Sequence, residues 1–477
     1  MNDVLLVVPP FHYRNMDSAA PICPRIGVAS LAAVLEKAGY KVGIIDAPAE
    51  RMSVEQIREV IQRETPRIVG VTASTAEFAD ALEILKLVKE HSAKMITVVG
   101  GPHITMMPET GGNRYIDYIV LGEGEVTFLE LVNMLLRNQG EVSGILGLGY
   151  KNNDKLVLNA ARPLIEDLDT LPFPAYHLLP MDKYRNYATL DEGRKFATMV
   201  TSRGCPFSCT FCSSFCLFGH RWRTMSVKRI LELMEKLYTE YKIRFVYFHD
   251  DEFSIDKKRV AAICDGIIDR GWDLKWSCLM RVSDMDEDLT RKMKQAGMAG
   301  VSFGIELGYA EGLKTINKKI TLEQARAAVR LCGKYDIISS VSFMMGFPWE
   351  SAKEIRETID FALSLKEAGI YYFQTLIPYP GTDIYKVMKE EGLIVSGDWS
   401  NYVTHTVTGS EPIIKTRYLS SKELQELYYY AVKRAYFQPG YLFKRLSHIR
   451  NWTNFRRQLG AGWGLARNVL AAVSKKK

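Results

Sequence analysis

Two successive runs of short apolar segments, each alternating with amphipathic helical patterns, limit what this chain can fold into. In the first ~135 residues the apolar segments fall at 4–8, 42–45, 68–71, 96–99 and 118–121, with helical patterns such as 53–64 and 76–91 between them. Strands separated by helices cannot pair as hairpins, so they predict a doubly wound, flavodoxin-like parallel sheet of the α/β class. Ligands of such sheets bind beyond the carboxyl ends of the strands. Those ends are Pro9-Pro10, Ser74-Thr75, Gly100-Gly101-Pro102-His103 and Gly122-Glu123-Gly124-Glu125. The glycines there let backbone approach a ligand closely.

A second run has strand patterns at 196–201, 244–248, 274–279, 300–303, 337–343 and 370–376. Helical patterns at 228–241, 322–335 and 352–365 lie between them. This predicts a partial (βα)6 barrel, with its chemistry on the loops that follow the strands. Between the two runs, Asn152-Asn153-Asp154 reads as a hairpin tip. Leu171-Pro172-Phe173-Pro174 reads as extended, because each proline disfavours helix before it. The expected division is 1–140, a linker at 141–192 packing on both neighbours, a barrel at 193–396 and a helical, basic extension at 397–477.

Apolar residues make up 47% and charged residues 25%, the balance of a globular protein. No apolar run nears the ~18 residues that span a bilayer, and the N-terminus lacks a signal-peptide pattern. A cytoplasmic location is expected. The net charge of +7 is local: Tyr428–Lys477 holds eleven Lys/Arg and no Asp/Glu. It therefore speaks for a feature of that segment, and general nucleic-acid binding is not expected.

Of eight cysteines, Cys205, Cys209, Cys212 and Cys216 fall together, while Cys23, Cys264, Cys278 and Cys332 are scattered. In a cytosolic chain such a group reads as metal binding. The segment Thr201-Ser202-Arg203-Gly204-Cys205-Pro206-Phe207-Ser208-Cys209-Thr210-Phe211-Cys212 directly follows the first barrel strand. Three thiolates can hold three irons of a [4Fe–4S] cluster and leave the fourth iron open to a ligand. Cys216 would allow a closed cluster or a zinc site instead. Zinc usually pairs two short Cys/His clusters, and no second one exists here.

This segment resembles the signature of radical S-adenosylmethionine enzymes, including the aromatic Phe211 before the third cysteine. The resemblance covers about 193–396 and implies a cluster on Cys205, Cys209 and Cys212 that cleaves S-adenosylmethionine to a 5′-deoxyadenosyl radical. It implies that Asp250-Asp251-Glu252 hold the methionine ammonium and that Glu306, in Gly304-Ile305-Glu306, binds ribose. Gly346 and Pro348 lie in Gly346-Phe347-Pro348-Trp349-Glu350, where the family pattern has Gly in place of Trp349. Arg281 follows the third strand, placed to pair a carboxylate through two hydrogen bonds. Pro378-Tyr379-Pro380-Gly381-Thr382 follows the sixth. Phe218-Gly219 and Arg221-Trp222-Arg223 would seat the cysteine loop. His220 and His249 are candidate proton donors, or simply hydrogen-bonded neighbours.

A doubly wound domain ahead of such a barrel, joined by Leu-Pro-Phe-Pro, resembles the cobalamin-binding subfamily. That group holds C- and P-methylases and the anaerobic magnesium-protoporphyrin ester cyclase. The resemblance implies corrinoid contacts from Pro9, Ser74, Thr75, Gly100, Gly101, His103, Gly122, Glu123, Gly124 and Glu125. None of the eight histidines lies in an Asp-x-His-x-x-Gly motif. Binding without a protein ligand to cobalt is therefore expected, the alternative being a cobalamin fold that has lost its cofactor.

The implied activity is cobalamin-dependent methylation of an unactivated carbon in a lipid, isoprenoid, tetrapyrrole-like or natural-product substrate. Flavodoxin or ferredoxin would supply electrons. A cobalamin-independent cyclase or carbon–carbon coupling enzyme is the alternative, and an RNA-binding iron–sulfur protein is one of another class. Basic and aromatic residues interleave over 436–463. They suit an anionic membrane face or RNA, or a helix packed on the barrel.

Overall fold

The computed structural model describes residues 2–10, 21–153, 155–186, 190, 193–403, 411–438 and 441. Most of the basic tail, including the aromatic and basic positions beyond 441, lies outside them.

The first sheet is built from β1 (Val4–Val8), β2 (Val42–Asp46), β3 (Ile68–Thr72), β4 (Ile96–Gly100), β5 (Tyr118–Val120), β6 (Leu148–Asn152) and β7 (Lys155–Leu158). Its order is β2-β1-β3-β4-β5-β6-β7. The first five strands are parallel, whereas β6 and β7 are antiparallel. All five residues of β1 are buried, as a central strand covered on both faces requires. Helices Ile26–Lys37 and Gly124–Arg137 cover one face, and Val54–Glu64 and Phe78–His91 the other. Ser53 caps its helix reciprocally with Gln56, so the helix begins one residue after the start of the sequence pattern. The Asn152-Asn153 turn does form a hairpin, but it extends the first sheet. A two-stranded ribbon has little stability alone and gains it by pairing on β5.

The second sheet holds β8 (Phe196–Met199), β11 (Phe245–Phe248), β12 (Lys275–Met280), β13 (Met298–Glu306), β14 (Ile338–Met345) and β15 (Ile370–Thr375). All six are parallel, in the order β15-β14-β13-β12-β11-β8. This is the expected open barrel. A small ribbon, β9 (Ser202–Arg203) with β10 (Arg223–Thr224), pairs Arg203 opposite Arg223.

The segment after the hairpin docks on both neighbours. Ala175 N donates to Ala29 O in the first domain, and the Tyr176 hydroxyl donates to Thr198 O on β8. Arg229 lies 3.9 Å over Phe173 and donates to Leu171 O, which fixes the Leu-Pro-Phe-Pro run. At the opposite edge, helix Ser421–Tyr436 packs on β15. The hydroxyls of Tyr436 and Tyr441 donate to the carbonyls of Tyr371 and Gly369. Among the described residues, no helix is long and apolar enough to cross a membrane.

Candidate functional site

The cysteine loop leaves β9 and returns on β10, so its two ends are fixed by one ribbon. Gly204 opens it with φ +83, and a Cβ there would lie 2.4 Å from Arg221 O. Only glycine fits both demands. The far side is tethered to the barrel mouth. Thr210 N donates to Ile316 O, Ile384 N donates to Thr210 O, and Asn317 Nδ2 donates to Ser208 O at 2.9 Å.

The loop brings Cys205, Cys209 and Cys212 together. Burial, first, raises the Cys205 thiol, and raises Cys212 to about 11; each also feels Cys209. Cys216 has different charged neighbours, Asp383 and Lys386, and its sulfur faces the Gly381 turn. Among the described residues, no three His, Cys, Asp or Glu side chains converge on one point as a single zinc ion needs. Cys205 and Cys212 thus each feel Cys209, whereas Cys216 has Asp383 and Lys386 as its charged neighbours. A buried cation supports this grouping. Burial works against the Lys318 ammonium, yet Glu306, Cys209 and a hydrogen bond to Glu306 hold its pKa above the ordinary value. It lies 3.0 Å from Glu306 and 5.8 Å over the Phe211 ring. Such a charge offsets thiolates in a dry site.

Several side chains expected to bind S-adenosylmethionine are engaged elsewhere. Asp250 is fully enclosed and accepts from Thr201 N, Thr201 Oγ1 and Ser202 Oγ, with Arg259 at 3.7 Å. It fixes the strand ends, and both of its oxygens are engaged in doing so. Asp251 accepts from Gly204 N and Ser214 Oγ, holding both sides of the cysteine loop. Glu252 remains: buried, bonded to Ser254, and within electrostatic reach of Cys205 and Arg281. Burial pushes its carboxyl up to about 7.

Arg281 does not present a free fork. Its Nη2 donates to Lys318 O and Lys319 O, and its guanidinium stacks 3.7 Å over Phe207; Nε is buried without a partner among the described residues. Glu306 sits at a register shift of β13 against β14 with φ +75, an unusual conformation for a non-glycine residue. Gly346 has φ +100, and its N and that of Phe347 donate to the buried Glu350 carboxylate. Pro348 O accepts from Arg417 N. This turn is thus fixed from beneath by Glu350 and from above by the segment after the barrel. Phe211 meets Phe347 edge-on at 6.1 Å.

Between the first sheet and the cysteine loop lies a cavity of about 1090 Å³. This is just above the usual range of small-molecule pockets, about 300–1,000 Å³. Ser74, Gly100, Gly101, Gly122, Glu123, Gly124 and Glu125 line it from one side; Arg203, Leu217, Phe218, His249 and Asp251 line it from the other. Gly101 has φ +101 and leaves no room for a Cβ beside Ala73 and Thr72. Arg25 enters the cavity and pairs with Glu77 at 2.5 Å.

Three expected contacts are corrected. His103 is fully buried outside the cavity, 4.2 Å from Phe78 and 5.3 Å from Trp399, and among the described residues neither ring nitrogen has a hydrogen-bond partner. Burial lowers its pKa to about 4, so it stays neutral. Pro10 lines the wall in place of the buried Pro9. Thr75 is buried beneath Ser74 in the chain path and does not reach the lining. Among the described residues, no histidine of the first domain faces the cavity, and none is placed to ligate a cobalt there.

Glu123 and Glu125 do line the cavity, but their carboxylates are taken. Arg203 donates to Glu123 at 2.8 Å and to Glu125 at 2.6 Å. Arg223 donates to Glu123 at 2.8 Å and to Ile165 O at 2.6 Å, and Ile165 N donates to Glu123. Burial opposes ionisation of Glu123, but the two guanidiniums hold its carboxyl below the ordinary range. Sequence reasoning missed Arg203 as a site residue, although it adjoins Gly204-Cys205. It also missed Lys318, whose place in a lysine-rich turn gave no signal.

Comparison with known proteins agrees with this geometry. Residues 15–132 match the B12 binding domain family, and residues 199–362 the radical SAM superfamily. A relative from Pyrococcus horikoshii, named uncharacterized methyltransferase PH0819, is 38% identical over 445 residues, covering 92% of this chain and 94% of that protein. The chain belongs to the B12-binding radical SAM family. The anaerobic magnesium-protoporphyrin IX monomethyl ester cyclase of Rubrivivax gelatinosus is 31% identical, covering 88% of this chain and 75% of that protein. The family fold recurs in the radical S-adenosylmethionine methyltransferase TsrM from Kitasatospora setae, solved with cobalamin and a [4Fe–4S] cluster bound. It superposes at TM-score 0.73 with 18% identity over 100% of both chains. In this B12-binding radical SAM protein, the cavity lies where the two matched domains face each other.

Proposed function

We propose that this enzyme methylates an unactivated carbon of a small, largely apolar molecule, using a [4Fe–4S] cluster, S-adenosylmethionine and cobalamin. The observation that carries this reading is the cavity walled by both the first sheet's glycine turns and the cysteine loop. When bound, the cluster with S-adenosylmethionine supplies a 5′-deoxyadenosyl radical, and cobalamin supplies the methyl group. Cys205, Cys209 and Cys212 would hold iron. Lys318 and Arg281 offset negative charge around them; Glu306 pairs with Lys318, and Glu252 is the carboxylate nearby that no cation pairs among the described residues. Gly100, Gly101, Gly122 and Gly124 let a corrin lie against backbone. A reactive radical is protected where the site keeps water out.

The cyclase relative favours a second reading in which the same radical closes a ring without methyl transfer. Anaerobic turnover with reductant distinguishes them. Equal formation of 5′-deoxyadenosine and S-adenosylhomocysteine with methylated product supports methylation. Substrate-dependent 5′-deoxyadenosine without S-adenosylhomocysteine supports cyclisation. Neither nucleoside product overturns both. Flavodoxin or ferredoxin is the proposed electron donor. The proposed location is the cytoplasm, with the basic tail touching an anionic membrane face. Flotation with anionic vesicles that is lost in high salt tests that contact.

A further inference from the structure

We infer that Arg203 and Arg223, with Glu123 and Glu125, couple the two cofactor sites, so that cluster assembly and corrinoid binding strengthen each other. This rests on the function proposed above, because it presumes that the cavity takes a corrinoid.

All three ligand cysteines lie between Arg203 and Arg223, whose backbones pair at the base of the loop. Both guanidiniums grip Glu123, and Arg203 also grips Glu125. These two carboxylates sit at the start of helix Gly124–Arg137, in the cavity wall. The Glu123 and Arg223 side chains are only 2% and 3% exposed. Water cannot replace a partner in such a place, and separating one pair strands a buried charge. The loop therefore cannot shift without moving the turn Gly122–Glu125 or breaking the group. A loop held by metal fixes that cavity wall; a wall held by corrinoid fixes the loop. Coupling of this kind is reciprocal by thermodynamic necessity. Arg203 and Arg223 are positioning residues: they act through the loop and the turn.

The test uses the full chain under anaerobic conditions, with and without a reconstituted cluster. Hydroxocobalamin is titrated while tryptophan fluorescence is followed. The wild type should bind on the order of ten-fold more tightly with its cluster in place. Its cluster should also lose iron to a chelator more slowly when hydroxocobalamin is bound. In Arg203→Met both dependences should shrink to what the Arg223–Glu123 pair still carries, and Arg203→Lys should restore part of each. Glu125→Gln removes one charge at nearly constant shape. It should weaken the coupling and carries the test if Arg203→Met fails to fold. Equal corrinoid affinity of the wild type in both states overturns this inference alone, as does undiminished coupling in Arg203→Met and Glu125→Gln. A wild type that takes up no corrinoid overturns the proposed function together with it.

Discussion

Two trios of cysteines occupy this barrel, and burial tells them apart only in part: Cys205 and Cys212 are half-buried, whereas Cys209 is buried like the other trio. Cys205, Cys209 and Cys212 lie on the loop after β8 and β9. Cys264, Cys278 and Cys332 lie in the barrel wall, on helix Lys257–Asp269, on β12 and on helix Leu322–Lys334. Burial raises Cys264 and Cys332 to about 12 and Cys278 well above its ordinary value. It also raises Cys212, to about 11. The difference lies in the company each keeps. The Cys205 and Cys212 thiols receive backbone N–H groups, from Phe207 and Ser214, and Cys212 feels the Lys318 ammonium. Cys278 has the carboxylates Glu252 and Asp250 and two other thiols around it. Cys205 also feels the Glu252 and Asp251 carboxylates, and Cys264 feels Lys292, so charge alone does not divide the trios; the backbone N–H groups aimed at Cys205 and Cys212 are what favour a thiolate there.

The strongest way to break this contrast is to exchange the fates of the trios. Cys209→Ala should abolish cluster assembly, whereas Cys278→Ala should assemble it and lose only about 1–2 kcal/mol of stability. Iron content, electron paramagnetic resonance and chemical denaturation measure these. If Cys278→Ala loses the cluster while its denaturation midpoint is normal, the distinction fails.

A smaller effect concerns protons. Cys205 and Cys212 are thiols at neutral pH and must ionise to bind iron, so loading should release at least two protons. Iron uptake should then weaken as pH falls, because protons compete for sulfur. Proton release in a weakly buffered reconstitution checks the sign.

Lys318→Met should make the loop trio more like the wall trio. Without the ammonium, the Cys212 thiol should shift further up, and its alkylation in the iron-free chain should need higher pH. Site-resolved mass spectrometry across a pH series reads this directly. The smallest effect is expected from Cys216→Ala. Its sulfur faces Gly381 and Asp383, so the cluster should form with unchanged iron content. Loss of iron in that variant would return Cys216 to the ligand set.

The apolar period and the cysteine spacing are local signals, so the five parallel strands of the first sheet, the six of the second and the cysteine loop were legible in the sequence, whereas the pairing of the β6–β7 hairpin onto β5 was not. What the sequence missed depends on partners far along the chain. Asp250 looked like a free acid of an acidic turn, yet Thr201 and Ser202, on the preceding strand end, consume it. His103 followed a glycine turn as a ligand would, and Trp399 from beyond the barrel helps to enclose it. Glu123 lined the expected cavity, but its carboxylate answers to Arg203 and Arg223 in the other domain. Spacing marks which turns meet at a site; only tertiary packing decides which atoms remain available there.

The barrel sheet has two outer strands, and each is met by a tyrosine from outside the barrel. The Tyr176 hydroxyl reaches β8, and Tyr436 reaches β15. Unpaired strand edges invite pairing with other chains. Cutting the barrel free, by removing residues before 193 and after 396, would uncover both flanks at once. Such a fragment should stick to itself rather than behave as a separable module.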